Sequence, residues 1–150
     1  MNFGSSFSIS ASALTAQRLR MDVITSNIAN AETTRASVVD GKAVPYRRKL
    51  VELESVNSGK FYDTLQSQLN RGEATGVKVR KISEDSSPFK PVYNPTHPDA
   101  DANGYVYMPN VDVTKEMVDM ISVSRSYDAN VTMFNAAKAM VSKGLEIGRA

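Results

Sequence analysis

Residues 111–145 read VDVTKEMVDMISVSRSYDANVTMFNAAKAMVSKGL, and their spacing decides the fold. Val113, Met120, Tyr127, Phe134 and Val141 recur every seven residues, and Met117, Val131 and Leu145 fall four residues further on. Apolar side chains at this period line one side of an α-helix, and a sustained seven-residue repeat is the seam of a helix packed along another helix. Neither proline nor glycine interrupts residues 111–143. Asp112 or Thr114 is placed to cap the start, and Gly144 or Gly148 to mark the end. Acidic Asp112, Glu116 and Asp119 come early and basic Lys138, Lys143 and Arg149 late, as the helix dipole favours. A helix over 114–147 would be about 50 Å long at ~1.5 Å per residue. A compact globule of this length has a radius of gyration of about 15 Å and hence a diameter of about 38 Å. The pattern therefore predicts an elongated molecule whose helix ends need a partner.

The N-terminal stretch carries the same period. Phe7, Leu14, Met21 and Ile28 are seven apart, with Ala11, Ile24 and Ala31 beside them, and the other face is small and polar: Ser12, Thr15, Ser26 and Asn27. Few of its residues are charged, which points to a helix buried over much of its circumference. Between the two helices the texture changes. Residues 45–56 (PYRRKLVELESV) and 76–83 alternate as strands do, 104–108 reads as a further short strand, and Phe61, Leu65 and Leu69 suggest a short helix. Pro88, Pro91, Pro95 and Pro98 mark an irregular connection. The expected fold is mainly α with a small β-rich insertion: an elongated pair of long N- and C-terminal helices packed as a coiled coil. Residues 1–34 and 111–150 would form one discontinuous helical domain, and 35–110 the insertion with its loops.

Composition removes most chemistry. The 150 residues contain no cysteine, no tryptophan and one histidine, His97, which excludes disulfide scaffolds, thiolate metal sites and a cysteine nucleophile. The formal charge of +2 arises in the middle: residues 1–34 hold two basic and two acidic side chains, 111–150 five of each, and 35–110 eleven against nine. The basic clusters Arg47-Arg48-Lys49 and Lys78-Arg80-Lys81 lie near Glu52, Glu54, Glu84 and Asp85, so they read as solvated faces rather than a nucleic-acid stripe. No apolar run approaches a membrane span, and the serine-broken start is unlike a cleavable secretory signal. Phosphate-loop, dinucleotide, nucleophile-elbow and zinc-protease motifs are missing, and no carboxylate pair is placed by spacing for acid–base work, so an enzyme is disfavoured. Asp99-Ala-Asp101-Ala-Asn103-Gly104 reproduces the opening of a calcium-binding loop, but its twelfth position is Asn110 and Pro95 and Pro98 forbid the leading helix. It reads as an Asx/Gly turn, with no metal, no cofactor and no small-molecule substrate, and His97 beside it as a surface histidine. Met117, Met120 and Met140 are expected in buried packing.

One segment is recognisable. Residues 13–34, ALTAQRLRMDVITSNIANAETT, resemble the signature of the bacterial flagellar rod, hook and hook-associated proteins, whose heart is here Ser26, Asn27, Ile28, Ala29, Asn30 and Ala31. Asn27 and Asn30 are placed to satisfy backbone groups where the helix stops. GYVYMPNVDV (104–113), Glu116-Met117-Val118 and SRSYDANV (124–131) resemble the C-terminal part of the same family. The short chain, Thr33-Thr34-Arg35 after the signature, Pro45–Lys49 and the Asn94–Asp101 loop point within the family to a proximal rod member. Glu32 stands where asparagine is common and Met108 where an aromatic or aliphatic residue is usual.

The resemblance implies a structural subunit of the flagellar basal-body rod. It further implies export through the flagellar type III apparatus without a cleaved signal, and partners among other rod subunits, self included, and the export apparatus. Leu14, Met21 and Ile28 would pack on Met120, Tyr127, Phe134 and Val141, within one subunit or between neighbours, with Phe7 and Val113 also on the seam. Another rod subunit is the alternative within the family. A generic coiled-coil adaptor would explain the heptads equally well but leaves Ser26–Ala31 without a reason.

Overall fold

A computed structural model of the chain describes residues 3–39, 42–56 and 76–148. Two helices bracket short strands: α1 (Phe3–Ala29), β1 (Ser37–Val39), β2 (Lys42–Val44), β3 (Lys49–Ser55), β4 (Val77–Glu84), β5 (Lys90–Tyr93), β6 (Tyr105–Met108) and α2 (Val113–Ile147). The helix-rich architecture with a β-containing middle is the expected one. Strands were expected over 45–56, 76–83 and 104–108, and each holds one; the short helix expected near Phe61–Leu69 lies outside the described residues.

The strands form three two-stranded sheets, β1–β2, β3–β4 and β5–β6. The first pairs Ser37 with Val44 and the last Lys90 with Met108, both antiparallel. For β3–β4 the flanking bonds fix the sense: Val56 N–H donates to Gly76 O at 2.8 Å and Asp85 N–H to Arg48 O at 2.8 Å. In a two-stranded sheet every strand is an edge, so Pro91 within β5 sacrifices no interior ladder bond.

The chain groups into two compact units. The first contains residues 1–20, 52–81 and 123–150. Here α1 meets α2 through Phe7 and Phe134, edge to face with ring centroids 5.1 Å apart. Ser12 joins α1 to β4: its hydroxyl donates to Ile9 O (2.7 Å) and accepts from Val77 N–H (3.1 Å). The approach is so close that a side chain on Gly76 would place its Cβ 2.5 Å from Ser12 Oγ. Ala16, Val123 and Ala137 are buried in this unit, and Lys78 and Arg80 flank Glu54 on the exposed side.

The second unit contains residues 21–51 and 82–122, with Val23, Ile24, Tyr46, Val106 and Val111 buried. Asp112 caps α2, its carboxylate accepting from Thr114 N–H (3.1 Å) and Lys115 N–H (3.4 Å). At the end of α1 the Asn30 side chain donates to Ser26 O (2.9 Å), a carbonyl that also accepts the Asn30 backbone N–H (3.1 Å).

Along α2 the covered stripe runs Glu116, Met120, Val123, Tyr127, Asn130, Phe134, Ala137 and Val141, spaced alternately four and three. Met117 and Met140 each stand one residue off that stripe and are exposed by 53% and 58%. The expected burial of these two methionines is therefore corrected; Met120, on the stripe, is half-covered. Small and polar residues occupy the stripe positions 116, 130 and 137, and hydrophobicity alone does not reveal them.

Candidate functional site

The Ser26–Ala31 motif ends α1 and lies in the second unit. Asn27 is only 1% exposed and uses its whole hydrogen-bonding capacity. Its Nδ2 donates to Lys49 O at 2.9 Å and to Glu116 Oε2 at 3.0 Å. Its Oδ1 accepts from Lys49 N–H at 2.9 Å and from the Tyr46 hydroxyl at 3.1 Å. One amide side chain thus binds the start of β3 as a neighbouring strand would, and reaches the first turns of α2. The Tyr46 hydroxyl also lies 3.3 Å from Ser26 Oγ.

Glu116, equally buried, is held on its other oxygen by Arg48, whose Nε and Nη2 both lie 2.6 Å from Oε1. Burial of a carboxylate is tolerable only with such pairing. Arg48 is anchored in turn by its own backbone: its N–H donates to Asn110 Oδ1 at 2.9 Å. Asn110 Nδ2 reaches the Asp85 and Ser87 carbonyls, and Arg47 lies over the Phe89 ring, 4.5 Å from its centroid. The Ser87 hydroxyl and N–H, with Arg48 behind them, hold the Asp85 carboxyl below its ordinary value. The result is a buried polar latch joining the end of α1, the segment 46–49 and the start of α2.

The turn at 94–104 is built from the residues that imitated a calcium loop. Asp101 Oδ1 accepts from Asn103 N–H (2.8 Å) and Tyr105 N–H (3.1 Å), and Gly104 takes φ +78°. Asp99 is bound by Arg35, whose Nε lies 2.9 Å from Oδ1, and by the Thr34 hydroxyl at 2.9 Å; these partners lower its pKa, Arg35 most. His97 Nδ1 accepts from Asp99 N–H at 3.1 Å. Asp101 thus closes the turn, and Asp99 ties it to residues 34 and 35.

Of the motif, Asn27 is buried, Ser26, Ile28, Asn30 and Ala31 are half-buried and Ala29 is exposed. Asn30 serves the helix end as its position suggests, whereas Asn27 serves β3 and α2 instead. Of the seam set, Phe7, Leu14, Met21, Ile28, Met120, Tyr127, Phe134 and Val141 are half-buried and Val113 is exposed. Phe7 and Phe134 are brought together. Tyr46, Arg48, Asn110 and Glu116 were not singled out from sequence as parts of one site. Glu116 and Val123, seven residues apart, share the covered stripe but lie off the heptad set read from the sequence, so periodicity did not mark Glu116.

Comparison with known proteins identifies the setting. Residues 7–36 match the family described as flagella basal body rod protein, and residues 102–147 the family described as flagellar basal body rod FlgEFG protein C-terminal. Over 146 residues the chain is 59% identical to the flagellar basal-body rod protein FlgC of Bacillus subtilis, covering 96% of this chain and 97% of that protein. The chain belongs to the FlgC family of flagellar basal-body rod proteins. FlgC of Borreliella burgdorferi is 44% identical over 156 residues (98% of each chain), and FlgC of Salmonella typhimurium 45% over 144 residues (95% of this chain, 96% of that protein). As a FlgC-family protein the chain is a structural subunit of the rod, located in the flagellar basal body, and it assembles with other rod components. The family is one of structural rod proteins. Among the described residues no helix is long and apolar enough to cross a membrane. The two family-matched stretches contain Asn27 and Glu116 respectively, and the latch ties them through Tyr46–Lys49, which lies in neither.

Proposed function

We propose that this FlgC-family chain is a proximal-rod subunit whose N- and C-terminal helices pair as an antiparallel coiled coil and carry its assembly into the rod. Residues 1–34 and 111–150 act as one discontinuous helical domain, with 35–110 as an insertion. The observation that supports this most is the contact of Phe7 with Phe134 in one unit alongside that of Asn27 with Glu116 in the other. Moving forward along α1 from the first contact to the second means moving backward along α2, as an antiparallel pair requires. Leu14, Met21 and Ile28 belong to the seam opposite Met120, Tyr127 and Val141, and Ser26–Ala31 locks its end. Further copies and neighbouring rod proteins are the partners. Delivery is by the flagellar type III apparatus, and the chain, with no cysteine, needs no disulfide to refold.

Phe134→Asp puts a charge into the Phe7 contact and should leave few or no rods in basal bodies purified from flagellated cells, with motility lost. Normal rod numbers containing the Phe134→Asp chain would defeat the seam reading.

A further inference from the structure

Asn103 is the only asparagine of the chain that is followed by glycine. Such a pair has a chemistry of its own. The backbone nitrogen of the second residue can attack the side-chain carbonyl carbon of the first, and glycine has no Cβ to obstruct the approach. A bond then forms between Gly104 N and Asn103 Cγ and the Cγ–Nδ2 bond breaks. The side-chain amide leaves as ammonia, taking the proton that Gly104 N gives up. Water opens the resulting five-membered imide at one carbonyl or the other, which leaves aspartate or isoaspartate at position 103.

The turn between β5 and β6 stands in the way of this reaction. Asn103 is exposed, so water reaches its side chain. The attacking nitrogen, however, is engaged: Gly104 N–H donates to Asp101 O at 2.9 Å. The surrounding bonds hold it there. Asp101 Oδ1 accepts from Asn103 N–H (2.8 Å) and Tyr105 N–H (3.1 Å). Asp101 N–H donates to Tyr105 O and Asn94 N–H to Gly104 O, both at 2.9 Å. The peptide groups before, within and after the pair are all pinned, and freeing Gly104 N means opening the turn.

We propose that Asn103–Gly104 is a deamidation site held latent by the Asp101 turn: folding protects it, and a chain that stays unfolded converts to aspartate or isoaspartate at position 103. Isoaspartate runs the main chain through Cβ and adds a methylene between residues 103 and 104, which takes Tyr105 N–H out of line with Asp101 Oδ1. The product therefore spoils the closure that restrained the reaction, and it marks chains that have remained unfolded. The proposal is independent of the rod reading.

The purified chain is held folded in one sample and in guanidinium chloride in another, in the same mildly alkaline buffer. Position 103 is followed by peptide mass spectrometry with fragmentation that separates aspartate from isoaspartate. Conversion is expected in denaturant, and the folded chain should be slower by about tenfold or more, because local opening must precede attack. Asp101→Ala removes the side-chain acceptor and leaves the pair intact. It should convert several-fold faster than wild type when folded, with unchanged helix content by circular dichroism, and at the wild-type rate in denaturant. Asp101→Asn keeps an acceptor oxygen and should stay protected. Absence of conversion at position 103 in denaturant overturns the site. Equal rates for the folded and denatured wild-type chain overturn the latency, with or without the variants. A folded Asp101→Ala chain no faster than wild type overturns the turn as the guard.

Discussion

Asn27 shows how much one side chain carries when it replaces both strand and cap. Its four hydrogen bonds go to two backbone groups of Lys49, the Tyr46 hydroxyl and Glu116, all within a site where Asn27 and Glu116 are 1% exposed. Each buried group deprived of its partner costs about 1–3 kcal/mol, and water entering the gap recovers part of that. Asn27→Ala should therefore lower stability by about 3 kcal/mol, measured by urea unfolding of the purified chain. Asn27→Asp separates packing from chemistry, because it keeps the shape but replaces the donor facing Glu116 Oε2 with a carboxylate oxygen. That variant should be the less stable of the two, since a carboxylate oxygen then meets Glu116 Oε2 where a donor stood. An Asn27→Asp chain as stable as Asn27→Ala would mean the Glu116 contact contributes little.

At the scale of elements, the β5–β6 connection depends on a backbone geometry that few residues adopt. Gly104 has φ +78°, and a Cβ there would lie 3.1 Å from Tyr93 Cε2 and 3.2 Å from Pro95 Cβ. The strain of a non-glycine residue in this region is about 1–3 kcal/mol. Gly104→Ala should lower the thermal midpoint accordingly while leaving helix content unchanged by far-ultraviolet circular dichroism; an unshifted midpoint would show that the turn relaxes freely. This turn was legible in the sequence, because Asp101 and Gly104 carry their geometry locally. The helices were legible for a similar reason, since an uninterrupted heptad repeat needs no knowledge of the rest of the chain. The latch was not. Arg48 and Glu116 are 68 residues apart and meet only once α2 starts beside segment 46–49. The small polar face of α1 carried no hydrophobic signal either, yet Ser12 and Asn27 bind β4 and β3 there. Periodicity finds the greasy side of a helix and is blind to a side that packs through hydrogen bonds.

For the whole molecule the decisive feature is where the two units divide. Their boundaries fall at 20/21, 51/52, 81/82 and 122/123, which are inside α1, β3, β4 and α2. Independent domains are normally joined through exposed linkers crossed by few contacts. Here every crossing of the chain is a hydrogen-bonded helix turn or strand. Melting one unit frays elements that the other needs, and helix formation is itself cooperative along the chain. The contacts that hold α1 to α2 differ in kind between the units, an aromatic pair in one and a polar latch in the other. Disturbing either should nonetheless destabilise both. The expected result is a single urea transition for the wild-type chain, followed by far-ultraviolet circular dichroism and by tyrosine fluorescence. Tyr127 reports from the first unit and Tyr46 from the second. Phe134→Ala and Asn27→Ala should each shift that one transition without splitting it. Two resolved transitions, with Phe134→Ala moving only one of them, would show instead that the units fold separately despite their shared elements.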